Sequence, residues 1–339
     1  MFNKFYEKTK EFIKENYIFI SLCLVMIATL LYPLPYYIYN GGGTINVDKR
    51  ININNSYSSE GSFNLCYVTE IRATISSYLL AKILPEWDII PKEEVTLNNN
   101  ETNKDVYTRD RIYLKDANVN AIHVAYSNAN KDFIVTNTNN YVVYIANEAT
   151  TNLKIGDIIK KVDGIDISSL NDIKKIVNSK NTNDQIEIIV VRNNKEKTCT
   201  AKVFELENNK YIGITTETTY DYQTDPKIKL KFSKNEAGPS GGLLLTLSIY
   251  NHLVKEDITN GMKIAGTGTI DWDGNVGSIG GVKYKLKGAV KDKADIFIVP
   301  NGENYEEAIK VKNKYNYDIK IIGVSSFDEA LEKLKEMSK

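Results

Sequence analysis

The sequence predicts a multidomain chain of mixed α+β and α/β class: an N-terminal transmembrane helix, a β-rich middle domain and a C-terminal α/β domain. Three observations carry this expectation. The 339 residues leave room for roughly two or three domains of ~100–200 residues each. Residues 16–47 contain no charged side chain. Beyond residue 140, two stretches with different strand and helix rhythms follow one another. The expected divisions are residues 1–40 for a cytoplasmic stub and anchor, 41–120 for an extracytoplasmic N-terminal segment, 121–205 for the β-rich domain and 206–339 for the α/β domain.

The anchor is read from residues 17–39, "YIFISLCLVMIATLLYPLPYYIY", since ~20 apolar residues span a bilayer. Tyr17 at one end and Tyr36, Tyr37 and Tyr39 at the other match interfacial aromatic belts, and Pro33 and Pro35 can close the helix. A cleaved signal peptide fits less well, because the run is long and no Ala-x-Ala-like site follows. Lys4, Lys8, Lys10 and Lys14 precede the run and only Lys49 and Arg50 follow closely. The positive-inside rule then places the N-terminus in the cytoplasm and the later domains outside a cell membrane crossed once.

Composition excludes other classes. Formal net charge is +0 and the lysines are interleaved with acids, so no basic face invites nucleic acid. With two histidines, His123 and His252, and no Cys-x-x-Cys, no metal or cofactor site is expected. Cys66 and Cys199 either pair outside the cell or stay free thiols. In the segment 41–120, "FNLCYVTEI" (63–71) reads as a strand, "ATISSYLLAKIL" (73–84) as a helix and "NNNETNK" (98–104) as a loop.

Residues 141–204 read strand, loop, short strand, turn, helix, strand, turn, strand. "IGDIIKKVDG" supplies glycine turns around alternating apolar residues. "LNDIKKIVN" has helical spacing at Leu170, Ile173, Ile176 and Val177, and "QIEIIVVRNNKEKTCTAKVF" is a hairpin turning at Asn193-Asn194. This resembles a PDZ domain of the type that accompanies bacterial proteases. The resemblance implies a peptide added as an extra strand beside the helix, with residues 141–145 as the edge strand and "TNTNN" (136–140) as the carboxylate loop. No Gly-Leu-Gly-Phe-like loop is present, and a spacer role is the other reading.

The last region opens on a costly turn, "GPSGG" at residues 238–242, running into "LLLTLSIYNHL". Ser240 is either a helix cap or a nucleophile that needs a base. His252 lies over three helical turns on, roughly 18 Å away, so a Ser-His pair fails. Lysine can replace histidine once burial keeps it neutral. In "GGVKYKLKGAV", Val282, Leu286, Ala289 and Val290 form the inward face, Lys283 and Lys285 flank it, and Lys287 lies farther out. Periodicity does not choose between Lys283 and Lys285.

"GPSGG", "AGTGTIDWDGNVGSIGGVKYK" and "ADIFIVP" resemble the proteolytic domain of Lon-type serine proteases over roughly residues 206–339. The resemblance implies Ser240 as nucleophile, Lys285 as its base and Thr267 as a residue that orients the lysine. Gly238, Pro239 and Gly241 then shape the turn, and backbone N–H groups near Gly238 to Gly241 become candidate oxyanion donors. One departure is Ala237 before Gly238, where Lon has an acid, although Glu236 is adjacent. With the anchor and PDZ-like region, the chain resembles the membrane-anchored, PDZ-containing Lon-like proteases of Gram-positive bacteria. No Gly-x4-Gly-Lys-(Ser/Thr) loop occurs, so the expectation is an ATP-independent Ser-Lys endopeptidase. Its partners would be short or unfolded peptides and proteins, membrane lipid around residues 17–39, and a second copy of the chain if it forms rings as Lon-type domains do. The alternative function is an inactive, membrane-anchored PDZ adaptor.

Overall fold

The computed structural model describes residues 2–84, 87–98 and 100–337. They form two compact units, one of residues 1–40 with 69–95, the other of residues 41–68 with 96–339.

The first unit starts with the helix Phe2–Leu30. Its Phe5–Leu30 part is long and apolar enough to cross a membrane, and its apolar window is 0% buried. At Asn16 the backbone leaves helical geometry, with φ −115° and ψ 15°. The expected anchor of residues 17–39 is corrected at its far end. The helix stops at Leu30, and Pro33–Asn46 is a strand. Proline has no N–H to continue a helix and pushes the residue before it into extended geometry. Tyr36, Tyr37 and Tyr39 therefore pair with the strand Asp88–Pro91 instead of ringing a membrane. Ile38, Ala73 and Ala81 form a small core beneath them.

In the second unit, a sheet runs in the order Lys320–Val324, Ile296–Pro300, Lys263–Gly266, then residues 62–68, then residues 41–46. Its first four strands are parallel, with Ile264 opposite both Phe63 and Ile296. Alternate residues face opposite sides. Ile264, Ile296 and Ile298 point into one core with Leu243, Leu247, Tyr126 and Phe327. Ala265, Phe297 and Val299 point into another with Leu286, Ala289 and Cys66. Helices cover both faces, which is why the five residues Ile296–Pro300 are all buried. Part of the segment 41–120 thus completes the sheet of the C-terminal region.

The helix Asn103–Asn128 was not expected, and it takes in the end of the supposed loop 98–104. Thr102 caps it in a capping box with Asp105. It packs on the helix Gly242–Leu253.

The PDZ-like β domain has the strand order Ile214–Asp225, Asp132–Ile145, Ile158–Val162, Gln185–Arg192, Lys195–Lys202. The helix Leu170–Asn178 buries Ile173, Ile176 and Val177 against it. Residues 141–145 are not the sheet edge. Tyr141 is opposite Glu217 on one side and Ile158 on the other. Residues 136–140 lie inside the strand Asp132–Ile145 and are not a loop. The edge is Ile214–Asp225, a strand hidden in the sequence by its threonines and acids. Before it, Gly213 turns the chain at φ +72°, a conformation suited to glycine. The helix Leu170–Asn178 touches the adjacent strand Asn209–Tyr211. Cys199 lies in this core and Cys66 in the other, both as free thiols.

Candidate active site

The turn at residues 238–242 is held from two directions. Gly238 has φ +87°, and its N–H donates to the Asp110 carbonyl at 3.0 Å. The Ser240 carbonyl accepts from the Gly268 N–H at 2.8 Å and from the Thr267 hydroxyl at 3.0 Å. The Leu243 N–H donates back to the Gly268 carbonyl at 3.1 Å. Residues 267–268, which follow the strand Lys263–Gly266, thus clamp the turn in place. Residues 242–251 are all buried, so the helix behind the turn is a rigid mount.

Two glycines are required by crowding. A Cβ on Gly241 would lie 2.8 Å from the Leu65 side chain, and one on Gly242 would lie 2.8 Å from Ile270.

Ser240 is not a cap. The N-cap position belongs to Gly241, and no side chain caps this helix. Among the described residues the Ser240 hydroxyl makes no hydrogen bond. The N–H groups of Ser240 and Gly241 have no acceptor there either. They sit side by side at the positive end of a 12-residue helix, a geometry that receives an anion. Gly238 drops out of the expected donors because Asp110 takes its N–H.

Burial separates the lysines. Lys283 is exposed and its ammonium lies 4.8 Å from the Tyr284 ring centre. Lys287 is half-buried. Lys285 is only 4% exposed. No hydrogen bond or ion pair joins its ammonium among the described residues. Desolvation lowers its pKa from 10.5 to about 8, with neighbouring Cys66 pulling the other way.

The sheet brings these groups to one end. Leu65 lies under Gly241, Cys66 acts on Lys285, and Thr267 binds Ser240. Leu65 is opposite Gly266 in the parallel pair, so Leu65, Cys66 and Thr267 lie level with the carboxyl end of the strand Lys263–Gly266, while the strand Ser62–Thr74 runs on past them. Ser240 and Lys285 are not hydrogen-bonded to one another. Thr267, expected on the lysine, gives its hydroxyl to the Ser240 carbonyl.

Other candidates are committed elsewhere. Glu236 pairs with Arg50, and its carbonyl accepts from Arg111 at 2.6 Å. His252 bonds the Tyr57 carbonyl at 2.9 Å and lies 3.5 Å from Asp48. His123 stacks on Trp272 at 3.7 Å. Asp271 receives N–H groups of its own turn. Leu65 was read only as a strand residue, and Cys66 as a strand residue that pairs with Cys199 or stays free, since nothing local announces their partners here.

The family model for the Lon protease (S16) C-terminal proteolytic domain matches residues 228–336. The chain carries a Lon-type proteolytic domain. The PDZ domain model matches residues 121–203. The Lon protease of Xanthomonas oryzae pv. oryzae is 34% identical over 95 residues, which is 28% of this chain and 11% of that protein. The Lon protease of Desulfatibacillum aliphaticivorans is 33% identical over 96 residues, with the same two shares, 28% and 11%. The match to these relatives thus spans about a tenth of their length. The PDZ domain of the SdrC-like protein from Listeria monocytogenes is 24% identical, covering 24% of this chain and 90% of that one, with a TM-score of 0.22. Its Listeria innocua counterpart is 23% identical over 23% of this chain and 92% of that one, also at 0.22. The chain thus combines a region matching a Lon-type proteolytic domain, a region matching a PDZ domain and an N-terminal apolar helix.

Proposed function

We propose that the chain is a membrane-anchored, ATP-independent serine endopeptidase with Ser240 as nucleophile and Lys285 as general base. The observation that carries this reading is a buried lysine without a counter-ion, at the same end of the sheet as a serine on a clamped turn. An amine with a pKa of about 8 is partly neutral near pH 7 and can accept a proton.

In the proposed reaction, substrate binding closes the gap between the two side chains. Lys285 takes the hydroxyl proton as the Ser240 oxygen attacks the scissile carbonyl carbon. A new C–O bond forms and the carbonyl oxygen becomes an oxyanion, held by the N–H groups of Ser240 and Gly241. The C–N bond then breaks, and the Lys285 ammonium returns the proton to the leaving amine. Water, deprotonated by Lys285, hydrolyses the acyl-enzyme and frees Ser240. Thr267 holds the turn through the Ser240 carbonyl, so its effect on Lys285 is indirect. Pro239 fixes one backbone angle before the nucleophile.

In this ATP-independent reading, the substrates are short, flexible or unfolded peptides and proteins, reached outside the cytoplasm. The edge strand Ile214–Asp225 is the place proposed for an added peptide strand. The absence of a Ser240–Lys285 hydrogen bond favours one rival, an inactive PDZ adaptor. The purified full chain, incubated with an unfolded protein and no ATP, separates the two. Cleavage is expected in wild type and in Lys283→Ala, and is expected to vanish in Ser240→Ala and Lys285→Ala. Persisting cleavage by Ser240→Ala ends the protease reading, and binding without cleavage by wild type supports the adaptor.

A further inference from the structure

A cavity of about 290 Å³ opens beside the nucleophile turn. Pro239, the neighbour of Ser240, forms part of its wall, together with Tyr113, Ile270 and Val276. Two further lining residues are Asp116, from the helix Asn103–Asn128, and Glu217, from the edge strand Ile214–Asp225.

Neither carboxylate is paired with a cation among the described residues. Asp116 accepts one hydrogen bond, from the Asn120 amide at 2.8 Å. Glu217 has no hydrogen bond or ion pair among the described residues, and the charge that acts on it is Asp116. No lysine or arginine lines the cavity. Two half-buried carboxylates that face one another without a cation cost stability. Nothing in the packing offsets that cost, but a cation entering the cavity would.

The placement is tied to the site. The Asn120 amide that holds Asp116 also reaches the Ile270 carbonyl at 3.3 Å. Ile270 ends the short strand that starts just after Thr267 and Gly268, the two residues clamped on the Ser240 carbonyl. The cavity wall and the nucleophile turn are therefore one rigid assembly.

We propose that this cavity is a substrate side-chain subsite that takes a lysine or arginine of the peptide being cleaved, with Asp116 and Glu217 as its acceptors. The subsite rests on the serine-peptidase reading and names the residue class which that site selects. Carboxylates in a side-chain pocket are how other serine proteases choose basic residues. Burial pushes the carboxyl of Asp116 up to about 6 and that of Glu217 up to about 7. Tyr113 and Asp271 are the other titratable groups on the cavity wall. Selection of a basic residue should then strengthen from pH 6 to pH 8. The ionisation of Lys285 cancels in the ratio of two peptides.

The test uses the full chain and a set of fluorogenic peptides that differ at one position, Lys, Arg, Leu or Glu, scanned along the sequence. At one position relative to the cut, Lys and Arg should beat Leu by about tenfold or more in kcat/KM. Asp116→Asn with Glu217→Gln should remove that preference while the rate on the Leu peptide changes by no more than about twofold. Equal cleavage of Lys and Leu peptides by wild type overturns the subsite, as does equal loss of both in the double variant. Fluorescence anisotropy of the same peptides on Ser240→Ala reads binding without chemistry. Preference for basic peptides there supports the subsite even if no peptide is hydrolysed. Cleavage by wild type with no such preference sinks the subsite and leaves the peptidase intact.

Discussion

In the proposed mechanism, Lys285 is where one side chain trades stability for chemistry. Its pKa falls from 10.5 to about 8, so at neutral pH the folded chain holds a cation that the unfolded chain would carry more cheaply, at a cost of about 3 kcal/mol. The unfolded state binds more protons between pH 8 and 10.5, so stability rises with pH through that window. Activity follows the neutral amine. The kcat/KM profile should climb through an apparent pKa near 8 and level off above it, and a flat profile across pH 7–9 would count against Lys285 as the base. Lys285→Met should abolish cleavage and raise the unfolding free energy at pH 7 by up to about 3 kcal/mol, measured by denaturant titration. The sequence marked the turn at Ser240 as unusual because three glycines and a proline have no cheap reason to surround an ordinary cap. Lys283 and Lys285 were indistinguishable by periodicity, and only the packing of Cys66 and the sheet decides which is dry. Asp116 and Glu217 left no signal, because each is a plain acid until the helix and the edge strand meet.

At the scale of elements, the nucleophile helix is positioned by two close approaches. Gly241→Ala should cost about 1–3 kcal/mol, because its methyl would strike Leu65 and a packed core repays overpacking poorly. Leu65→Ala in the same chain should recover part of that loss. Additive losses in the double variant, measured by chemical unfolding, would show that the two sites do not touch. The strands Lys263–Gly266 and Ile296–Pro300 were readable from dense apolar runs flanked by glycine. The helix Asn103–Asn128 was not. It buries Arg109 and Asn120 along with its apolar residues, and Arg109 is matched by Glu101, so no simple apolar stripe marks it. Its capping box at Thr102 and Asp105 was the signal available. The edge strand Ile214–Asp225 hid for a related reason: its threonines, tyrosines and acids alternate with no apolar face.

At the scale of the whole molecule, a helix long and apolar enough to cross a membrane stands at the N-terminal end of the chain. Phe5–Leu30 has 26 residues; its uncharged part, residues 16–30, covers about 22 Å at 1.5 Å per residue, so the flanking residues must complete a ~30 Å hydrocarbon crossing. Alkaline carbonate extraction should leave the full chain in the membrane pellet, and protease added to intact cells should digest it beyond the strand Pro33–Asn46. Release into the carbonate supernatant would refute the anchor, and protection of the distal residues would reverse the orientation. The sheet has a further consequence in time. Ser62–Thr74 lies beside Lys263–Gly266, and the strand Ile51–Ile53 pairs with Ile228–Leu230. These closures span long stretches of chain and are slow to form. The site also draws on Leu65, Ser240, Thr267 and Lys285, so it cannot be built until Lys285 has left the ribosome. In the proposed reading, a chain still being synthesised therefore lacks an assembled site for most of its length.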